Sequence, residues 1–366
     1  MPIVVILSLV AFEVLLIFVH LAVYGTLVAA FGIGSMVLGW VFVALALTFL
    51  TASLLTHWFK GRLIDWYYTA SAYWFGLINV FFVAGVIFFF AAQFFYSRGD
   101  YVSPALIGGI AFGAFFLLHL YGTWNSGRAE ITRVTVAMPG LPAAWRGKKL
   151  VFVSDMHLGN IRKDGFAAKV AGKINALRPD AVLIGGDLYD GTACDEKAVV
   201  EPLRALKAPQ GVYYVTGNHE YYLPNFGAAM EAIRGVGIRI INNEVVNLDG
   251  LSVLGVDHKT TFKRDDFKRV LDATVGARKA PTILVMHEPN HLDAARDAGI
   301  ALAFYGHTHQ GQIFPLNYIT RRVYHGFDYG LKKLGPLNVY TSSGVGTWGP
   351  PLRLGTKSEI VLVEFG

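Results

Sequence analysis

Residues 3–31, 36–55, 73–95 and 104–124 form four runs of almost unbroken apolar side chains. Each reaches the roughly 20 residues an α-helix needs to cross the hydrocarbon core of a bilayer. A chain with four such runs in its first third is not one water-soluble globule. Charge follows the same division: only Lys60, Arg62 and Arg98, and only Glu13, Asp65 and Asp100, precede Arg128, so the whole net charge of +6 belongs to the rest. The first run lacks the basic start and small-residue cleavage site of a signal peptide and reads as a retained span.

Four spans put both chain ends on one side of the membrane. That side collects Lys60, Arg62, Arg128, Arg133, Arg146, Lys148 and Lys149, against Arg98 alone near a span end opposite. The excess of basic residues predicts a multi-pass protein of the cell (inner) membrane whose hydrophilic part is cytoplasmic. The division expected is a four-helix transmembrane domain over 1–127, a juxtamembrane linker over 128–147 and a soluble domain over 148–366. Glu13 and His20, seven residues apart, share a helix face from which they could pair, and His119 is a third ionisable group at membrane depth; all three read as polarity satisfied within the bundle rather than as a polar pathway or headgroup site. The single cysteine, Cys194, excludes an internal disulfide framework. No basic run with interleaved aromatics supports nucleic-acid binding. The basic surplus on a membrane-tethered domain points to the bilayer's anionic headgroups or to phosphorylated substrates as partners; oligomeric state is not legible.

Beyond "NSGRAE" the pattern changes to short apolar runs alternating with helical segments. "KKLVFVSD" (148–155), "AVLIGGD" (181–187), "GVYYVTGNHE" (211–220), "GIRII" (237–241), "LSVLGVD" (251–257), "PTILVMHE" (281–288) and "IALAFYGHTH" (300–309) read as buried strands. With helices between them they predict an α/β layered domain. "LNVYTSSG" and "EIVLVEF" are expected as antiparallel strands closing a second sheet. Metal-capable groups stand at five strand ends: Asp155 with His157, Asp187 with Asp190, Asn218 with His219, His287, and His307 with His309. Ligands in open α/β sheets collect beyond the carboxyl ends of strands, so these groups converge on one crevice. Aspartate, asparagine and imidazole, with no thiolate, suit Mn, Fe, Zn or Mg. Seven ligands (Asp155, His157, Asp187, Asn218, His287, His307 and His309) exceed one tetrahedral ion and fit two ions sharing a carboxylate. Such a pair generates a hydroxide nucleophile near neutral pH and clamps a phosphoryl group.

The ordered blocks "SDMHLG", "GGDLYD", "TGNHE", "MHEP" and "GHTHQGQ" resemble the calcineurin-like metallophosphoesterase superfamily, in particular its membrane-associated bacterial branch. The resemblance implies a transmembrane bundle followed by an α/β domain of two mixed β-sheets packed face to face and flanked by helices. It also implies that Asp155, His157, Asp187 and His309 hold one divalent ion, and that Asp187, Asn218, His287 and His307 hold the other. His219 then stands near the leaving group as general acid or transition-state stabiliser, with Asp190 and Glu220 orienting or tuning it. Members of this branch usually carry glycine where this chain has Gln310, a departure that matters if the position needs positive φ.

The expected activity is hydrolysis of a phosphate mono-, di- or pyrophosphate ester, with the size of the anchor pointing to a lipid-linked substrate. The alternative is a metal-stabilised scaffold or sensor that regulates its own bundle; a histidine such as His219, outside the ligand set, argues against it. Arg353, in the Gly/Pro-rich stretch "SSGVGTWGPPLRLG" (342–355), is expected to clamp a phosphate or carboxylate. His258 in "GVDHKT" reads as a solvated loop residue, and His291 and His325 as structural or peripheral.

Overall fold

The computed structural model describes residues 3–274 and 280–365. It divides into two compact units, one running to Trp124 and including Gly349–Leu352, the other comprising Asn125–Trp348 and the chain from Arg353 onward.

The first unit is helical: α1 (Ile3–Phe31), α2 (Met36–Ala46), α3 (Thr48–Trp58), α4 (Arg62–Ser97) and α5 (Pro104–Ser126). Helices α2 and α3 together make one apolar stretch, Met36–Trp58, so four stretches are long and apolar enough to cross a membrane. Ser35 starts α2 by accepting the Leu38 N–H on its hydroxyl at 3.0 Å. Small residues let helices approach closely: a Cβ on Gly85 would lie 2.9 Å from Thr26 Oγ1. Large side chains such as Phe18, Phe90 and Leu117 point outward, as an apolar solvent permits. Helix α4 begins at Arg62, well before residue 73, so the break between the second and third apolar runs shrinks to Phe59–Gly61. At 36 residues α4 is longer than the hydrocarbon core requires, and its start carries the polar Arg62 and Asp65. His20 does not depend on Glu13. Its Nδ1–H donates to the Leu16 carbonyl at 2.7 Å, and its Nε2 accepts from Trp74 at 2.9 Å.

The second unit runs β1 (Ala129–Val136), β2 (Lys149–Val153), α6 (Asp164–Ala176), β3 (Ala181–Ile184), α7 (Glu196–Val200), β4 (Val212–Tyr214), α8 (Phe226–Gly235), β5 (Arg239–Ile240), β6 (Glu244–Leu248) and β7 (Leu251–Gly255). It continues through α9 (Arg264–Thr274), β8 (Thr282–Val285), α10 (Leu292–Asp297), β9 (Leu302–Tyr305), α11 (Leu316–Val323), β10 (Gly330–Leu334), β11 (Leu337–Thr341) and β12 (Ser358–Phe365). One sheet has the order β1-β12-β2-β3-β4-β5 and the other β10-β11-β9-β8-β7-β6, each mixing parallel and antiparallel pairs.

Alternate residues explain the layering. Leu150, Phe152, Leu183 and Val361 of the first sheet share one core with Val253, Ile283, Leu302 and Phe304 of the second. The Phe152 and Phe304 rings stack there at 4.8 Å. The intervening residues Val151, Val182 and Ile184 face α6 and α8, while Leu254, Leu284 and Ala303 face α9 and α10. The order is helix, sheet, sheet, helix.

Two expectations change. The segment expected as linker, 128–147, contains β1, paired in parallel with β12, and the fully buried Trp145, which donates to the Leu248 carbonyl. The last strand does not close the second sheet: β12 lies between β1 and β2 in the first, while β11 runs parallel to β9 and antiparallel to β10. An apolar run reveals that a strand is buried but not which neighbour buries it.

Candidate metal centre

The parallel strands β2, β3, β4, β8 and β9 end on the same side, and the turns after them carry the metal-capable residues. These turns are sharp. Asp155, His157, Asp187, His307 and His309 all adopt positive φ, between 47° and 66°, a region that L-residues other than Asn, Asp and His rarely enter. Glycines keep the approach open: a Cβ on Gly217 would overlap the Asp187 carboxylate, and one on Gly306 would overlap that of Asp155.

Three overlapping groups result. Asp155, His157 and His309 form one, Asp187, His287 and His307 another, and His157, Asp187 and His219 a third between them, with ligand atoms in each group within 4.8 Å of one another. His157 Nε2 is 3.0 Å from His309 Nε2, which is 3.4 Å from Asp155 Oδ1. Asp187 Oδ2 is 3.1 Å from His287 Nε2 and 3.9 Å from both His157 Nε2 and His219 Nε2. Asn218 joins through Oδ1, 3.1 Å from His287 Nε2. All seven expected ligands are thus brought together, with Asp187 central.

The donor set fits cations. A carbonyl only accepts, so His287 Nδ1 carries the hydrogen donated to Gly185 at 2.8 Å. In neutral His287 the Nε2 lone pair then faces two oxygens, those of Asp187 and Asn218. Three acceptors turned on one another need a proton or a metal ion between them. Without metal the proton wins: burial opposes charge on His287, but the Asp187 carboxylate outweighs it and pushes the imidazole up to about 10. Burial would likewise raise Asp187 and Asp155, yet the neighbouring histidines hold both below the usual carboxylate range. His309 goes the other way. Burial lowers it to about 3, leaving a neutral imidazole available to a metal.

The flanking residues differ from expectation in detail. His219 lies at the edge of the group, with its side chain 18% exposed where those of His157, His287 and His309 are 0–2%. It donates from Nδ1 to the backbone carbonyl of Asp190 at 2.8 Å. The Asp190 carboxylate instead sits 3.3 Å from His157 Nδ1, so residue 190 orients His157 by its side chain and His219 by its main chain. Glu220, fully buried, does not orient His219. Its oxygens accept the N–H groups of Asp187, Tyr189 and Gly217, binding together the turns that present Asp187 and Asn218.

Arg353 is not an open anion clamp. It has no exposed surface, and its guanidinium donates to the carbonyls of His309, Ser343, Gly344 and Gly346, with Nη2 3.3 Å from His309 Nδ1. It ties the loop after β11 to the turn that carries His309. Burial lowers its pKa to about 9.

His258 is buried rather than solvated, with Nδ1 lacking a hydrogen bond among the described residues and its ring 5.9 Å from that of His287. Burial, then the charge on His287, holds it at about 4. Tyr324, overlooked in the sequence, donates to Glu288 at 3.3 Å and has its ring 6.4 Å from His307. A signal existed in both cases: His258 follows β7 as the ligands follow their strands, and Glu288 adjoins His287. His291 caps α10 and bonds the Thr261 carbonyl at 2.9 Å, away from the cluster. Gln310 has φ 53°, the region in which glycine is at ease.

Comparison with known proteins agrees with this geometry. The family model for calcineurin-like phosphoesterases matches residues 148–311. An uncharacterized metallophosphoesterase of Helicobacter pylori is 36% identical over 221 residues, covering 59% of each chain. A transmembrane protein with metallophosphoesterase domain from Danio rerio is 30% identical over 264 residues, 67% of this chain and 59% of its own. A further uncharacterized metallophosphoesterase, from Aquifex aeolicus, is 28% identical over 255 residues, 68% of this chain and 96% of its own. The match spans under two thirds of the length of the first two.

Proposed function

We propose that this chain, which carries a calcineurin-like metallophosphoesterase domain, is a membrane-associated enzyme that uses two divalent ions to hydrolyse a phosphate mono-, di- or pyrophosphate ester. The observation that carries the reading is Asp187: one buried carboxylate reaches histidines of both metal-capable groups. Asp155, His157, Asp187 and His309 would hold one ion, and Asp187, Asn218, His287 and His307 the other. When bound, two such ions neutralise phosphoryl oxygens and make water a competent nucleophile near neutral pH. The ions are Mn, Fe, Zn or Mg, the set that oxygen and imidazole donors serve.

The chain's own residues supply the rest. His219, the most open of the clustered histidines, keeps its Nδ1–H on the Asp190 carbonyl. The imidazolium form therefore presents its second proton from Nε2, toward the leaving oxygen of a phosphoryl group seated between the two groups. Asp190 holds the plane of His157, and Glu220 holds the turns of Asp187 and Asn218. Burial of both carboxylates excludes water and strengthens each electrostatic contact.

We assign residues 1–127 to the membrane domain and the remainder to the catalytic domain, on the cytoplasmic side of the cell membrane. Support is the basic excess on the side of the chain termini. A lipid-linked phosphoester is the favoured substrate, because four spans exceed what tethering requires.

The test is turnover of bis(p-nitrophenyl) phosphate by purified protein stripped of metal and resupplied with Mn, beside Asp187→Ala. Reconstituted wild type should exceed the variant by orders of magnitude. Equal rates would overturn the enzyme reading.

A further inference from the structure

Helix α11 is built inside out. Asn317 and Thr320 are its half-buried residues, whereas Tyr318, Ile319 and Val323 are 60–62% exposed and no residue of the helix is buried. Leu316, Ile319 and Val323, spaced three and four apart, form one stripe along the helix. A surface helix of a water-soluble domain turns such a stripe toward the core; this one turns it to solvent. Phe314, exposed just ahead of the helix, meets Tyr318 edge to face at 5.9 Å. Trp348, also exposed, is fixed to the same rim by the Gln312 amide, which bonds both its N–H and its carbonyl. Arg321 and Arg322, in the last turn, are exposed and have no ion pair among the described residues.

The composition names the occupant. Tyr, Trp, Phe and branched aliphatics flanked by free arginines suit a bilayer surface, where apolar side chains reach the acyl boundary and guanidinium groups meet phosphate. A water-soluble partner would need no such cation pair beside a purely apolar stripe. The domain is also tethered to an apolar span by a short link, since α5 ends at Ser126 and β1 starts at Ala129.

We propose that α11, with Phe314 and Trp348, docks on the surface of a bilayer bearing anionic headgroups. The helix leads directly into Tyr324, which bonds Glu288 beside His287. The docked helix thus adjoins the rim of the metal-capable cluster. It goes beyond the phosphoesterase reading and does not depend on it, since its readout involves no turnover.

Cys194 is the only cysteine and is buried, so a nitroxide can be attached at one chosen position of the full chain. Ile319→Cys and, separately, Val323→Cys are labelled in nanodiscs of phosphatidylcholine with phosphatidylglycerol, with Glu231→Cys on exposed α8 surface as reference. Both α11 labels should relax faster with oxygen than with an aqueous nickel chelate, and the reference label should do the reverse. Reversing both arginines, Arg321→Glu with Arg322→Glu, should weaken the lipid signature, each guanidinium contributing about fivefold near an anionic surface. An aqueous signature at both α11 positions overturns the proposal. Strong spin–spin broadening between labels of two chains also overturns it, by assigning the stripe to a second copy.

Discussion

Replacing Arg353 by methionine separates two roles for a buried cation. The side chain keeps its approximate length but loses every donor. Gly344 and His309 keep a hydrogen bond each, because their carbonyls also accept from Glu359 N at 3.0 Å and Gln312 N at 2.9 Å. The carbonyls of Ser343 and Gly346 lose theirs. An orphaned buried acceptor costs about 1–3 kcal/mol, so the two cost about 2–6 kcal/mol together. Part returns, because a buried charge is removed along with an Nε–H that has no partner among the described residues. A net loss of about 2–4 kcal/mol is expected, and at about 2–4 °C per kcal/mol for a domain of this size the apparent Tm should fall by roughly 5–15 °C. The His309 turn should loosen with it, so metal content, measured by elemental analysis, and kcat should fall together. Arg353→Lys should recover little, since one ammonium cannot span the acceptors of a planar guanidinium. A Tm within a degree of wild type, with KM raised and kcat unchanged, would refute the reasoning and restore Arg353 as a substrate contact.

His219→Ala should lower kcat by about 10²–10³ with metal content unchanged. The loss should be smaller for p-nitrophenyl esters than for alkyl esters, whose leaving groups need the proton more; equal losses would remove its role as acid. Gln310→Gly should raise Tm by about 1–3 °C, since relief of a left-handed L-residue slightly exceeds the added freedom of the unfolded chain; a lower Tm would show that the glutamine side chain contributes more than its backbone costs. Metal competes with the proton on His287, so affinity measured against a chelator should rise with pH, about tenfold per unit for each proton displaced, up to about pH 10. A pH-independent affinity would contradict it. In the metal-free protein the raised His287 contributes stability that is complete below its unfolded value of 6.5 and is lost as pH rises through about 10. Depressed Asp187 contributes above 3.8 and loses its share in acid. His309 and His258, held neutral by burial at about 3 and 4, bind protons more readily in the unfolded chain and so take stability away as pH falls below 6.5. Thermal melts of stripped protein should therefore peak near pH 6.5.

Four of the five strands that end at the metal-capable residues, β2, β3, β8 and β9, were legible because each brings three or four consecutive buried apolar residues up to a polar group. Such a run admits little besides a strand covered on both faces. Strand β1 escaped notice for the opposite reason: in "AEITRVTV" the charged Glu130 and Arg133 alternate with buried positions, and so edge-strand periodicity resembled a polar linker. Strand β10, "GLKKL", carries no pattern of its own and exists by pairing with β11. In the membrane unit the apolar runs predicted the helices, but the start of α4 follows helix geometry rather than the edge of hydrophobicity.

Residue type was legible at the site where conformation and direction were not. Nothing in "AFYGHTHQGQ" announces that His307, His309 and Gln310 all take positive φ. Such residues cost on the order of 1–3 kcal/mol each in strained settings, less for Asp and His, whose short polar side chains tolerate the region. The site therefore keeps its ligand atoms converged against local preference, and buried tethers resist relaxation: Glu220 across the turns of Asp187 and Asn218, Arg353 across the turn of His309. A charged residue reads as surface in any pattern-based account, which is why the sequence alone points both tethers toward His219 or substrate. The same limit applies to α11, whose amphipathic sequence gives the stripe but not the side on which it faces. Only the fold shows that Asn317 and Thr320 take the inner positions and leave the apolar stripe outside.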